Sequence, residues 1–372
     1  MPDNKDISKI PVVVLSSFAH AGVDWVHSLL DSHPEILIMP AFSYFRTLER
    51  IKRGNKFDIY NSKNTEIAKI LSNTFFYDKS YQFKRRKFIK DEVEMKNFEN
   101  YLLEHLENSK EINIIKRVFF GIHQAFVKLH NIDLKKIKTL VIHEHVSWHC
   151  NEYKKLFNSR FLLVFRDPRA TLAGGILRMR NSNQDGKINS FQLDTMLLCM
   201  TSAYSFLKKD NKKRFIYSII NESMHRDLKK EMSNLSEWLR VNYFDSMLHQ
   251  TFMNQKWLGE SAYLAQDELK KEVPKNFYEP LEVEKRWRSI LSSIEILSIE
   301  VVFRDMMKKF EFKKDNNLNF IKILKGYFNF YLMHQHQQKY YINKNILILR
   351  NLLRRLSTLL LVEKTKFFFS FK

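Results

Sequence analysis

The sequence predicts an α/β fold: a doubly wound parallel sheet flanked by helices, with a helical insertion and a basic amphipathic C-terminal extension. Three observations predict it. Short apolar runs rich in Val, Ile, Leu and Phe recur between Val12 and Ile220, unbroken by polar alternation, as strands buried on both faces require. Stretches of helical periodicity lie between them, and strands alternating with helices imply a parallel sheet. The first run, Val12 to Leu15, opens a strand, small-residue loop and helix. That order aims backbone N–H groups at one spot, an anion site, and makes the sheet P-loop-like, although the Gly-Lys-Ser/Thr ending of a nucleoside-triphosphate loop is missing.

In chain order, Ser16 to Gly22 are small or polar and suit the loop, and Trp25, Val26, Leu29 and Leu30 recur at helical spacing until His33-Pro34 stops the helix. Ile36 to Met39 read as a second strand ended by Pro40. From Ala41 to about His130 comes the helical insertion, with one helix expected over residues 75–106 and another from Ile112 to His130; such an insertion often covers a site on the acceptor side and selects what enters it, the other reading being packing alone. Thr139 to Ile142 form a third strand that runs into His143-Glu144-His145. Asn151 to Phe157 form a helix. Phe161 to Phe165 form a fourth strand ending in Arg166-Asp167-Pro168-Arg169. Ligands of doubly wound sheets bind beyond the carboxyl ends of the strands, so the loop, the histidine pair and Arg166 are expected on one edge. Alternating strand positions share a face, which turns His143 and His145 inward together and Glu144 away. Phe215 to Ile220 make a fifth strand, followed by one helix from Asn221 to Val241 with Leu228, Met232, Leu235 and Leu239 on its inner face. Thr251 to Tyr263 form a loop centred on Trp257 and Gly259, and Trp287 to Phe312 a last helix. The one-domain reading is residues 1–312, with 313–372 as the extension. There Ile346, Leu349, Leu353, Leu356 and Leu360 share a helix face beside Arg350, Arg354 and Arg355; this suits either an anionic membrane surface or docking on the protein itself or a second subunit.

The 372 residues carry a net charge of +21 and are 44% apolar, enough for a sizeable core and against global disorder. A basic balance suits anionic ligands or surfaces, and an AT-rich coding bias toward Lys, Asn, Ile and Phe also produces one; no nucleic-acid motif is present. Cys150 and Cys199 make neither a disulfide framework nor a metal site. With a charged N-terminus and no apolar run of spanning length, the expected location is cytoplasmic, with peripheral contact at the inner face of the membrane as an option.

Four segments together resemble the PAPS-dependent sulfotransferases, which move a sulfuryl group from 3′-phosphoadenosine 5′-phosphosulfate to a hydroxyl or amine. AHAGVDWVHSLLDSHPEI is similar to the family's 5′-phosphosulfate loop and helix. LLVFRDPRATLAG looks like its 3′-phosphate strand and turn. SIINESMHRDL with EWLRV, and TFMNQKWLGES, are similar to two later family segments. In order they cover about residues 10–312. The resemblance implies PAPS as donor and no metal. It implies donor contacts from Ser17, Ala21, Gly22, Val23, Asp24, Trp25, Arg166, Gly174, Trp257 and Gly259, with Gly22 admitting the 5′-phosphate, Trp25 near the adenine and Arg166 on the 3′-phosphate. His145 falls where the family's general base often sits, with His143 beside it. Four positions depart from the pattern: His20 replaces a Lys or Arg, Val23 and Asp24 replace two hydroxyls, and Gly174 replaces a serine for which Arg169 or Thr171 are candidate substitutes. The expected chemistry is transfer to a hydroxyl of a saccharide, a lipid-linked glycan or a small molecule. His145 would take the proton and His20, when protonated, would steady the leaving oxygen. A sulfotransferase-fold partner without transfer activity, acting at a membrane or in polysaccharide assembly, and an ATP-using kinase are the alternatives. The oligomeric state is open.

Overall fold

The computed structural model describes residues 6–40, 43–55, 57–78, 87–182, 188, 190–209, 215–257, 259, 278–332 and 356. Strand β1 (Val12–Ser17) is followed by α1 (Val23–Leu30) and β2 (Ile36–Ile38). The insertion then supplies α2 (Tyr44–Asn55), α3 (Asn64–Tyr77), α4 (Glu92–Asn108) and α5 (Ile114–Leu129). Next come β3 (Thr139–Glu144), α6 (Cys150–Phe157), β4 (Arg160–Phe165), α7 (Pro168–Ser182), α8 (Ser190–Lys209) and β5 (Ile216–Ile220). After β5 the chain forms α9 (Asn221–Arg226), α10 (Leu228–Leu239) and a small hairpin of β6 (Thr251–Phe252) and β7 (Gln255–Lys256). Helices α11 (Pro280–Lys285), α12 (Ser293–Val302), α13 (Arg304–Lys309) and α14 (Phe320–Leu332) complete it.

The five long strands form one parallel sheet in the order β2-β3-β1-β4-β5. Val14 pairs with Ile142 and Ser16 with Glu144, while Leu37 pairs with Leu140. Every residue of β1 and β3 is buried, which is why these strands read as continuous apolar runs. By contacts the chain falls into two compact units. The first comprises Met1–Ser16, Asp24–Leu162 and Met232–Gly259, and the second Ser17–Val23, Leu163–Glu231 and Glu260–Lys372.

In the first unit the insertion has its own aromatic core. Phe75, Phe88, Phe98 and Phe126 meet with ring centroids 5.3 to 5.9 Å apart, within the range of favourable edge-to-face contacts. In the second unit Phe18 packs on Phe165 and Phe303, each at 5.5 Å. There Arg169 ties the start of α7 to α12. Its guanidinium reaches Asp167 and Glu300 at 2.7 Å and lies over the Trp287 ring at 4.3 Å.

Three helices expected as single rods are broken. The first, over residues 75–106, ends at Tyr77; the chain is extended at Asp91, whose carboxylate accepts from the Glu94 backbone N–H at 2.8 Å and starts α4. The helix after β5 divides at Asp227 into α9 and α10, with Asp227 capping the Lys230 N–H at 3.0 Å. The last becomes a 3-10 turn (Arg286–Ser289), α12 and α13, with Ser292 and Glu295 forming a capping box. β1 also runs two residues further than expected, so Ser16 and Ser17 belong to the strand and the loop is shorter. Among the described residues no helix is long and apolar enough to cross a membrane. The amphipathic tail from Ile346 to Leu360 lies outside the described residues, save for the exposed Leu356.

Candidate functional site

In the second unit the loop after β1 is built on left-handed backbone. Ala19 and His20 have φ of 47° and 25°, and Gly22 has φ of 95°. Alternation into the left-handed region makes anion-binding concavities from backbone N–H groups. Gly22 is required twice over: its φ favours glycine, and a Cβ there would stand 2.4 Å from Asn221 Nδ2. Ser17, Ala21 and Val23 are buried and shape the loop through backbone and packing, whereas His20 is exposed. The His20 ring lies beside Gly175, where a Cβ would come within 3.2 Å of it. Gly174 is buried with open space on its Cβ side.

Arg166 follows the carboxyl end of β4 in the same unit, its Nε 4.0 Å from Glu222 Oε1. Glu222 is buried and accepts from the Asp167 backbone N–H at 3.0 Å. Burial pushes its carboxyl up to about 7, against the pull of Arg166. Burial, followed by the Arg166 charge, lowers His225 to about 4. Asn221 and Glu222, the first residues of α9, thus join Gly22 and Arg166. Sequence reasoning assigned neither, although both sit directly after a strand, the position from which site residues come. Arg169 is committed to the Asp167–Glu300 network, and Thr171 is fully buried.

In the first unit the three side chains Asp24, His143 and His145 converge, one donor atom from each lying within 4.8 Å of the others. Asp24 stands in the first turn of α1, with its Oδ1 4.0 Å from His143 Nδ1. The His143 and His145 rings are 4.2 Å apart, as expected for alternate positions at a strand end. Glu144 points elsewhere, bonded by Ser43 Oγ, by Tyr153 OH and by the Val146 N–H. Beyond it, burial opposes the charge of His149, yet the carboxylates of Glu144 and Glu49 hold it up to about 9.

His27, fully buried on α1, was not anticipated. Its Nδ1 is 3.0 Å from His143 Nδ1, and its ring stacks on Phe252 at 4.8 Å. Phe252 meets Trp257 edge-on at 5.2 Å, so Trp257 joins the histidines through two intervening rings. Asp31 holds this hairpin, accepting from Met253 and Asn254 N–H at 3.1 and 3.0 Å. Met253 and Asn254 take φ of 50° and 58°, the geometry of a tight hairpin turn. Trp25 is half-buried on α1, its carbonyl accepting from Ser28, and Gly259 has a φ of 85° just beyond the hairpin.

No family model matches the chain, and no curated protein matches it. Among solved structures the chain is similar to the sulfotransferase domain of the Synechococcus PCC 7002 olefin synthase, at 14% identity and a TM-score of 0.42 over 84% of this chain and 98% of that one. It is similar to the sulfotransferase domain from the curacin biosynthetic pathway at 12% identity and a TM-score of 0.45, over 82% and 99% of the two chains. A sulfotransferase of Mycobacterium avium matches at 11% identity and a TM-score of 0.39, over 82% and 78%.

Proposed function

We propose that the chain is a sulfotransferase that moves a sulfuryl group from PAPS to a hydroxyl of a saccharide, lipid-linked or small-molecule acceptor. The observation that carries this reading is the left-handed loop ending in Gly22, in one unit with Arg166 and the Asn221–Glu222 start of α9. A bare backbone turn and a guanidinium are what a 5′-phosphosulfate and a 3′-phosphate need. In this reading the loop amides hold the 5′ end and Arg166 the 3′-phosphate. The acceptor oxygen forms a bond to sulfur as the bond from sulfur to the bridging oxygen breaks. The electron pair leaves on the bisphosphate, which departs as adenosine 3′,5′-bisphosphate. Transfer of this kind depends on positioning and charge more than on covalent chemistry. His20 is exposed in the loop and, when protonated, supplies positive charge to the leaving oxygen. The acceptor proton goes to the His143–His145 pair at the end of β3.

Calorimetry with adenosine 3′,5′-bisphosphate tests the donor half. Wild-type protein is expected to bind it, and Arg166→Ala to bind roughly 10- to 100-fold more weakly, the worth of a charge-assisted contact. Absence of binding by the wild-type protein overturns the reading. Binding without transfer of labelled sulfate to any glycan or small-molecule acceptor points to the scaffold role instead.

A further inference from the structure

We propose that Asp24, His143 and His145 form a binding site for a divalent first-row transition ion, of which zinc is the type. Two imidazoles and a carboxylate are a recurrent ligand set for such ions, leaving further positions open to solvent or substrate. Asp24 comes from the first turn of a helix and His143 from the end of a buried strand, elements that hold side chains more firmly than loops do, and His145 follows one residue past that strand. Their donor atoms lie within 4.8 Å of one another; a tetrahedral ion with bonds near 2 Å wants them roughly 3.4 Å apart. His143 is completely buried, while Asp24 and His145 are half-buried.

Two further features fit an ion. His27 contacts His143 at 3.0 Å between Nδ1 atoms. Such a contact needs one ring to donate and the other to accept; it engages His143 Nδ1, so the ion would take His143 Nε2, as when an outer partner sets the tautomer of a metal-binding histidine. His27 is itself clamped by Phe252. The second feature is the sign of Asp24, a carboxylate at a helix start that otherwise repels phosphates. A bound dication inverts that local field. The ion-binding claim stands on these side chains alone. The sulfotransferase reading enters only in its role: with the ion bound, His143 and His145 would be ligands and no longer the base, and the ion would lower the pKa of the acceptor hydroxyl, its proton passing to solvent.

Full-length untagged protein, stripped with chelator and titrated with zinc chloride by calorimetry, is expected to bind one equivalent saturably. Asp24→Asn and His145→Ala are expected to lose that equivalent while keeping the wild-type melting temperature of the metal-free protein. His27→Gln is expected to retain it about 10- to 100-fold more weakly, the usual cost of removing an outer partner. Should either ligand variant misfold, the cobalt form of the wild-type protein decides, because histidine and carboxylate ligation of low coordination number gives intense visible bands and hexaaqua cobalt does not. No saturable equivalent, wild-type affinity in both ligand variants, or a cobalt spectrum like that of the free ion overturns the proposal. None of these readouts involves transfer activity, so failure here leaves the sulfotransferase reading to its own test.

Discussion

Glu222 offers the sharpest energetic test of the arrangement around Arg166. The carboxyl is fully buried, with a folded-state pKa raised from 4.5 to about 7 by burial. Between those values the folded chain binds a proton that the unfolded chain has lost, so stability falls as pH rises from 4.5 through 7. Each pH unit of that window is worth about 1.4 kcal/mol, and the whole about 3 kcal/mol. Glu222→Gln keeps the shape of the protonated side chain and removes the titration. Urea unfolding followed by tryptophan fluorescence at pH 4 and at pH 8 measures the effect. The stability of the variant relative to wild type is expected to rise by about 3 kcal/mol from the lower to the higher pH. An unchanged difference, or one of opposite sign, would refute the reasoning. It would mean that Arg166, 4.0 Å away, compensates the buried charge in full.

Two substitutions probe the loop and its support. Gly22→Ala forces a left-handed alanine and a contact 2.4 Å from Asn221 Nδ2, costing about 1–3 kcal/mol in loop strain; bisphosphate affinity by calorimetry should fall, and adding Asn221→Ala should restore only part, because the φ remains. Arg169→Ala strands the buried Glu300 and Asp167 carboxylates and is expected to lower stability by about 3–5 kcal/mol in chemical denaturation.

The strands were legible because burial on both faces leaves an unbroken apolar run, as in the Val12–Leu15 and Phe161–Phe165 segments. The helix breaks at Asp91 and Ser292 were missed although each carries a readable cap, an Asp or Ser followed three residues later by Glu. Apolar periodicity continued across these caps and hid them. The facing of His143 and His145 followed from strand alternation alone. Asp24 beside them, His27 against His143, and Asn221 against Gly22 depend on how distant segments pack, and nothing local to those residues announces it. Glu222 is a similar case: its behaviour comes from burial, and an isolated glutamate in a sequence carries no sign of that.

The hairpin clasped by Asp31 has a consequence for biosynthesis. The carboxylate of Asp31 waits for N–H groups at Met253 and Asn254, and Ser32 for Thr251, some 219 to 223 positions later. Phe252, which covers His27, arrives with them. A ribosome has therefore released most of the chain before Phe252 can stack on His27 of α1. Contacts of such long range form late and slowly. A proteolytic or cloned piece that stops short of the hairpin lacks the ring that stacks on His27.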